Sequence, residues 1–148
     1  MIRLNHTALH KIKVHAMQAY PEECCGMLLG KEDGQTKIVC DVIQMKNTKA
    51  EYRTRRYLID PEDYKRAEEQ ATEEGVSVIG LYHSHPDNPP QPSQNDVEHA
   101  LPWWSYLIVS VESGLPTTVK SWMLEDDHSS FKEENVEILD GAFKHLWE

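Results

Sequence analysis

The sequence predicts a single mixed α/β domain: a mixed β-sheet with two main helices packed on it and a short third helix. Three observations predict it. Two stretches carry helical apolar spacing behind a capping residue, residues 76–83 form a nearly continuous apolar, β-rich run, and two later β-rich runs are joined by Ser113-Gly114. Helices and strands mixed along one chain bury their apolar faces against each other in layers. A chain of 148 residues makes one such domain and removes about two-thirds of its unfolded surface from water.

The elements follow in order. Residues 5–19 read as a helix, because Leu9, Ile12, Ala16 and Ala19 or Tyr20 recur at helical spacing, Asn5 can cap the start, and Pro21 ends it. Residues 24–30 are a short apolar strand, Glu32-Asp33-Gly34 is a hairpin turn, and residues 36–45 are the returning strand. A further strand is expected over 52–59. Asp60-Pro61-Glu62-Asp63 opens the second helix, with a cap, a proline at the first helical position and acids in the first turn. Tyr64, Ala67 and Ala71 form its apolar stripe and Gly75 stops it. The run 76–83 is expected to be a central strand covered on both faces. After the proline-rich loop Pro86 to Pro92, Ser93 to Leu101 reads as a short helix, 105–111 and 117–124 as a strand pair, and 135–139 as an edge strand. Phe143, Leu146 and Trp147 have the spacing of a terminal helix that docks on the sheet or serves a homodimer contact.

Composition excludes some function classes. The net charge is −10 with acids spread along the chain, which lacks the electrostatic footprint of a nucleic-acid binder. Arg53-Thr54-Arg55-Arg56 is the one dense basic stretch, read as a solvated strand or loop edge that could meet an acidic partner. No apolar run approaches the ~18 residues that cross a bilayer, and the N-terminus has no secretory pattern, so a cytoplasmic protein without a membrane partner is expected. The three cysteines include no CxxC pair, and adjacent Cys24 and Cys25 must point to opposite faces of a strand. Neither a disulfide framework nor a thiolate zinc site fits them.

The chemistry concentrates at the end of the central strand. In His83-Ser84-His85, side chains i and i+2 share a face, so both imidazoles aim at one spot and Ser84 turns away. Two converging ring nitrogens suit zinc. Asp96 lies across the proline-stiffened loop on what should be the first turn of a helix, and would be the third ligand. Two His and one carboxylate leave the fourth position open, the pattern of a catalytic zinc. A carboxylate must then handle protons. Glu23, just before the first apolar strand, is the candidate, although the residues alone leave Glu22, Glu51 and Glu98 open. Plainer readings stand beside these. Ser93-x-x-Asp96 is also a capping-box-like pattern, the two histidines could be satisfied polar groups, and Glu23 a surface acid. His6 and His10 share a helix face, but no acid completes a site there. Of Trp103-Trp104, one ring is expected in the core, and the other in the core or at a surface where it could contact a partner.

Taken together, His83-Ser84-His85, seven residues, Ser93, two residues and Asp96, preceded by Pro21-Glu22-Glu23-Cys24-Cys25-Gly26, resemble the signature of the JAMM (MPN-plus) zinc metalloproteases. The resemblance runs from about residue 6 to 124, with 125–148 as an added edge strand and tail of the same single domain. It implies an MPN, cytidine-deaminase-like α/β fold. It also implies zinc on His83, His85 and Asp96, Glu23 as the residue that activates water, and Ser93 as an oxyanion stabiliser. The substrate class it implies is an amide bond after the C-terminal Gly-Gly of a ubiquitin-like or sulfur-carrier protein. A catalytically silent scaffold of the same fold and a purely structural zinc module are the alternatives.

Overall fold

The computed structural model of the chain describes residues 1–139. Its elements are β1 (Ile2–Asn5), α1 (His6–Ala19), β2 (Cys25–Asp33), β3 (Thr36–Met45), α2 (Pro61–Glu73), β4 (Ser77–Pro86), α3 (Gln94–Glu98), β5 (Ser105–Glu112), β6 (Leu115–Leu124), β7 (Phe131–Glu134) and β8 (Val136–Leu139). The strands form one mixed sheet in the order β7-β6-β5-β4-β2-β3-β1-β8. The expected mixed α/β domain is what the chain forms. The tail helix expected around Phe143, Leu146 and Trp147 lies outside the described residues.

Local chemistry explains the helices. The Asn5 side chain accepts from the Ala8 N–H and Asp60 accepts from the Glu62 N–H, so each main helix starts where its orphan donors find an oxygen. α1 buries Ala8, Ile12 and Ala16 on one face of the sheet, against Leu28, Tyr82, Leu107 and Val109. α2 lies on the other face, where Ala67 packs with Met27, Leu81 and Tyr106. Cys24 and Cys25 fall into these two opposite clusters, as strand alternation requires.

β4 runs antiparallel to β2 and parallel to β5, with Cys25 opposite His83 and His83 opposite Ile108. From Ile79 to Pro86 it is buried throughout, because helices and strands cover both its faces. Gly26 is obligatory beside it: a Cβ at that position would overlap the ring of Tyr82, which is fully buried and cannot retreat.

Three elements differ from expectation. Residues 52–59 are not a strand but part of a loop with a turn at 53–55, and Tyr52 adopts φ 62°. The side chain of Asn47 takes the groups a strand partner would have used, donating to the Arg56 carbonyl and accepting from the Leu58 N–H. β1 and β7 were not anticipated. β8 is the expected edge strand, paired in parallel with β1. No helix among the described residues is long and apolar enough to cross a membrane.

Candidate metal centre

Both histidines leave β4 toward the α2 face, two residues apart, as the pleat dictates. Asp96 is brought to them by the loop from Pro86 to Ser93, which is tied to its surroundings along its length. The Asp87 N–H donates to Val111 O, the Ser110 hydroxyl to Asn88 O, and the Trp122 indole N–H to Pro90 O. The Asp87 carboxylate accepts from the Ser113 N–H and the Tyr20 hydroxyl. So fixed, the loop delivers α3 with its N-terminus at the end of β4. There Ser93 and Asp96 form a reciprocal capping box: Ser93 Oγ accepts from the Asp96 N–H, and Asp96 Oδ2 accepts from the Ser93 N–H at 2.8 Å.

The cap and the site use the same carboxylate. His83 Nε2, His85 Nε2 and Asp96 Oδ2 form a triangle with sides of 3.2, 3.3 and 3.4 Å. Tetrahedral zinc with ligands at about 2.0–2.1 Å places neighbouring ligand atoms about 3.3–3.4 Å apart, so the triangle has the size of one metal-binding face. His85 Nδ1 lies 2.8 Å from the Pro89 carbonyl. Donation there fixes the tautomer that leaves Nε2 free for a metal. His83 stacks on Tyr57 at 4.7 Å between ring centroids, which holds its ring plane. Among the described residues the group contains these three and no fourth ligand. A three-ligand His-His-Asp group fits metal binding with a coordination position left over.

Glu23 stands at the entrance of β2, 4% exposed, and Oε1 has no hydrogen-bond partner. Its backbone is clamped. The Glu23 N–H donates to Arg53 O, and Asn47 Nδ2 donates to Glu23 O. The next residue, Cys24, gives its N–H to Ser84 Oγ at 2.8 Å. Burial pushes the Glu23 carboxyl up to about 7, against the opposing pull of His83 and His85. Burial also pushes Asp96 up, but the facing histidines and the Ser93 N–H outweigh it and hold that carboxyl well below the usual range. The same neighbourhood thus shifts the two carboxyls in opposite directions.

The structure therefore brings His83, His85, Asp96, Glu23 and Ser93 to one place. Ser93 and Glu23 line a common cleft. Ser93 Oγ accepts the capping bond, and its hydroxyl donates to no acceptor among the described residues. Nothing near Asn47 or Tyr57 in the sequence signals their contacts with this site, and only the position of Ser84 between the two histidines hints at the bond it accepts from the Cys24 N–H. Of the tryptophans, Trp104 packs on Tyr64 and Trp103 is 78% exposed.

Residues 6–125 match the prokaryotic homologs of the JAB domain, and the chain belongs to that family. It is a JAMM-type hydrolase. It is 34% identical over 119 residues to the desampylase of Haloferax volcanii, covering 80% of this chain and 79% of that protein. It is 30% identical over 104 residues to a probable TtuB-protein conjugate cleaving protease of Thermus thermophilus, covering 70% and 66%. The solution structure of a protein from Desulfitobacterium hafniense superposes with a TM-score of 0.84 at 31% identity, covering 95% of this chain and 94% of that one.

Proposed function

We propose that the chain is a zinc-dependent peptidase or isopeptidase that hydrolyses the amide bond after the C-terminal Gly-Gly of a ubiquitin-like or sulfur-carrier protein. The observation that carries this reading is the His83–His85–Asp96 triangle beside a buried Glu23 whose Oε1 is unpartnered. The names of the Haloferax and Thermus relatives support the substrate class.

When bound by the three ligands, zinc supplies Lewis acidity for the scissile carbonyl and acidifies the attacking water. Everything else falls to the chain. Glu23 Oε1, buried and without a partner, is placed to hold that water and take its proton. Water oxygen joins the glycine carbonyl carbon, the C–N bond breaks, and the departing amine takes the proton that Glu23 removed. The Ser93 O–H stabilises the charge that develops on the carbonyl oxygen. An apolar groove of about 380 Å3, lined by Tyr57, Ile59, Tyr64, Leu81 and Trp104, starts at Asp96. It suits the extended tail of the carrier, with side chains in the groove and paired glycines passing over the narrow site.

The test is elemental analysis of the untagged protein beside its His83→Ala/His85→Ala variant. One zinc per wild-type chain and none in the variant is expected. A wild-type chain that takes up no zinc after incubation with the metal overturns the reading and favours the silent scaffold.

A further inference from the structure

The basic stretch read from the sequence as a solvated edge has a more definite place. Arg53 is neutralised by Glu22 at 3.1 Å. Arg55 and Arg56 have no carboxylate partner among the described residues, although the chain carries ten excess negative charges. Both guanidinium groups gather on the face of Tyr52, at 4.6 and 5.7 Å from its ring centroid. The Arg56 backbone is pinned to the proposed catalytic acid, because Asn47 Nδ2 donates at 3.0 Å to both Glu23 O and Arg56 O. Arg55 and Arg56 wall a cleft of about 560 Å3 that also contains Glu23, His85 and Ser93. Glu23 is the one acid lining that cleft, and it does not line the apolar groove.

That asymmetry assigns the two sides of the site. The group that protonates a leaving amine must lie within hydrogen-bond reach of it. Because Glu23 opens into the polar cleft, the leaving fragment occupies that cleft and the acyl side occupies the groove. Resting on the hydrolase reading above, we propose that Arg55 and Arg56 bind a free carboxylate on the leaving fragment, which is therefore a single amino acid or short peptide with its own C-terminus. Guanidinium groups suit such a carboxylate because their forked donors match its two oxygens. A lysine side chain in a folded protein presents no such group next to the scissile nitrogen.

The test uses zinc-loaded protein and one ten-residue synthetic peptide ending in Gly-Gly-Ala, made as the free acid and as the C-terminal amide. The expected result is a preference for the free acid of about tenfold in kcat/KM, carried by KM, as for a hydrogen bond to a charged group. In Arg55→Gln/Arg56→Gln the preference falls to about parity, and Arg55→Lys/Arg56→Lys restores part of it. Arg66→Gln on α2, which removes a charge paired with Asp63, keeps the wild-type preference. Independently of turnover, alanylalanine as free acid, and not as its amide, should shift the Nε–H resonances of Arg55 and Arg56 in metal-free protein. Cleavage of acid and amide at equal rates by the wild type overturns the inference and leaves the hydrolase standing. So does a preference that survives in the double glutamine variant. Cleavage of neither peptide, with no resonance shift, overturns this inference, while zinc uptake by the wild-type chain decides the hydrolase reading separately.

Discussion

The two faces of the sheet are covered unequally. Under α1 the buried cluster holds fourteen of the described residues, from Ile2 to Val111, and His15 Nδ1 meets the Tyr82 hydroxyl there at 2.7 Å. Under α2 the buried cluster holds six, and Tyr57, Ile59, Tyr64 and Trp104 are only partly covered. The reason is visible in the helices. α1 presents Ala8, Ile12 and Ala16 to the sheet with Leu9 and Ala19 beside them, whereas α2 buries only Ala67 and Ala71. One strand serves both sides: β4 sends Tyr82 and Ser84 into the closed face and His83 and His85 into the open one. A sheet face sealed by a helix supplies stability. The face left partly open keeps the concave space a substrate needs.

If this division is right, substitutions on the open face should remove chemistry and those on the closed face should remove stability. The largest effect is expected from Glu23→Gln. Loss of a general base lowers hydrolysis by about 10²–10⁴-fold. Zinc content and melting temperature should hold, and wild-type rates in this variant would falsify the assignment. Next comes Gly26→Ala on the closed face. The new Cβ meets the fixed ring of Tyr82 and should cost about 1–3 kcal/mol by urea unfolding, with zinc still bound. A neutral substitution would show that the closed face is softer than its packing implies.

Ser84→Ala is the variant most able to break the comparison, since Ser84 sits on the closed side yet holds the Cys24 N–H next to Glu23. About 1–2 kcal/mol of stability should be lost together with a lowered kcat at unchanged zinc content, as for a buried donor left unpaired. A pure stability loss would restore a strict division of labour. The smallest effect concerns Asp87, whose carboxyl is held below the usual range by the Ser113 N–H and the Tyr20 hydroxyl. A depressed folded-state value means its stabilisation is full above the ordinary Asp pKa and is lost as pH falls through the lowered value. The melting temperature of Asp87→Asn should therefore lie slightly below wild type at neutral pH and converge with it in acid.

What could be read in the sequence followed from local rules. Asn5 and Asp60 cap their helices through bonds spanning three residues or fewer, and His83 and His85 share a face because two residues on a strand always do. The metal loop was legible as spaced residues. Its double use of Asp96 was not, since the capping box and the ligand role looked like rival readings and the structure contains both geometries. Distant pairing hid the rest. β1 has four residues and is a strand because β3 and β8 flank it. The segment 52–59 has β-forming side chains, but Asn47 and Glu23 take up its polar backbone groups. Nothing near Tyr57 or Ser84 in sequence announces that one stacks on His83 and the other steadies Glu23.

The shared use of one oxygen also sets where the chain can change length. Asp96 Oδ2 starts a helix and faces both histidines, so an insertion or deletion between His85 and Ser93 dismantles the helix start and the ligand triangle in a single event. The turns at Gly34 and Gly75 are different, with open space around each. Extra residues there would hang into solvent at small entropic cost. The loop from Pro86 to Pro92 is therefore a ruler, and variation in length within this fold should collect at the hairpin tip and beyond the second helix.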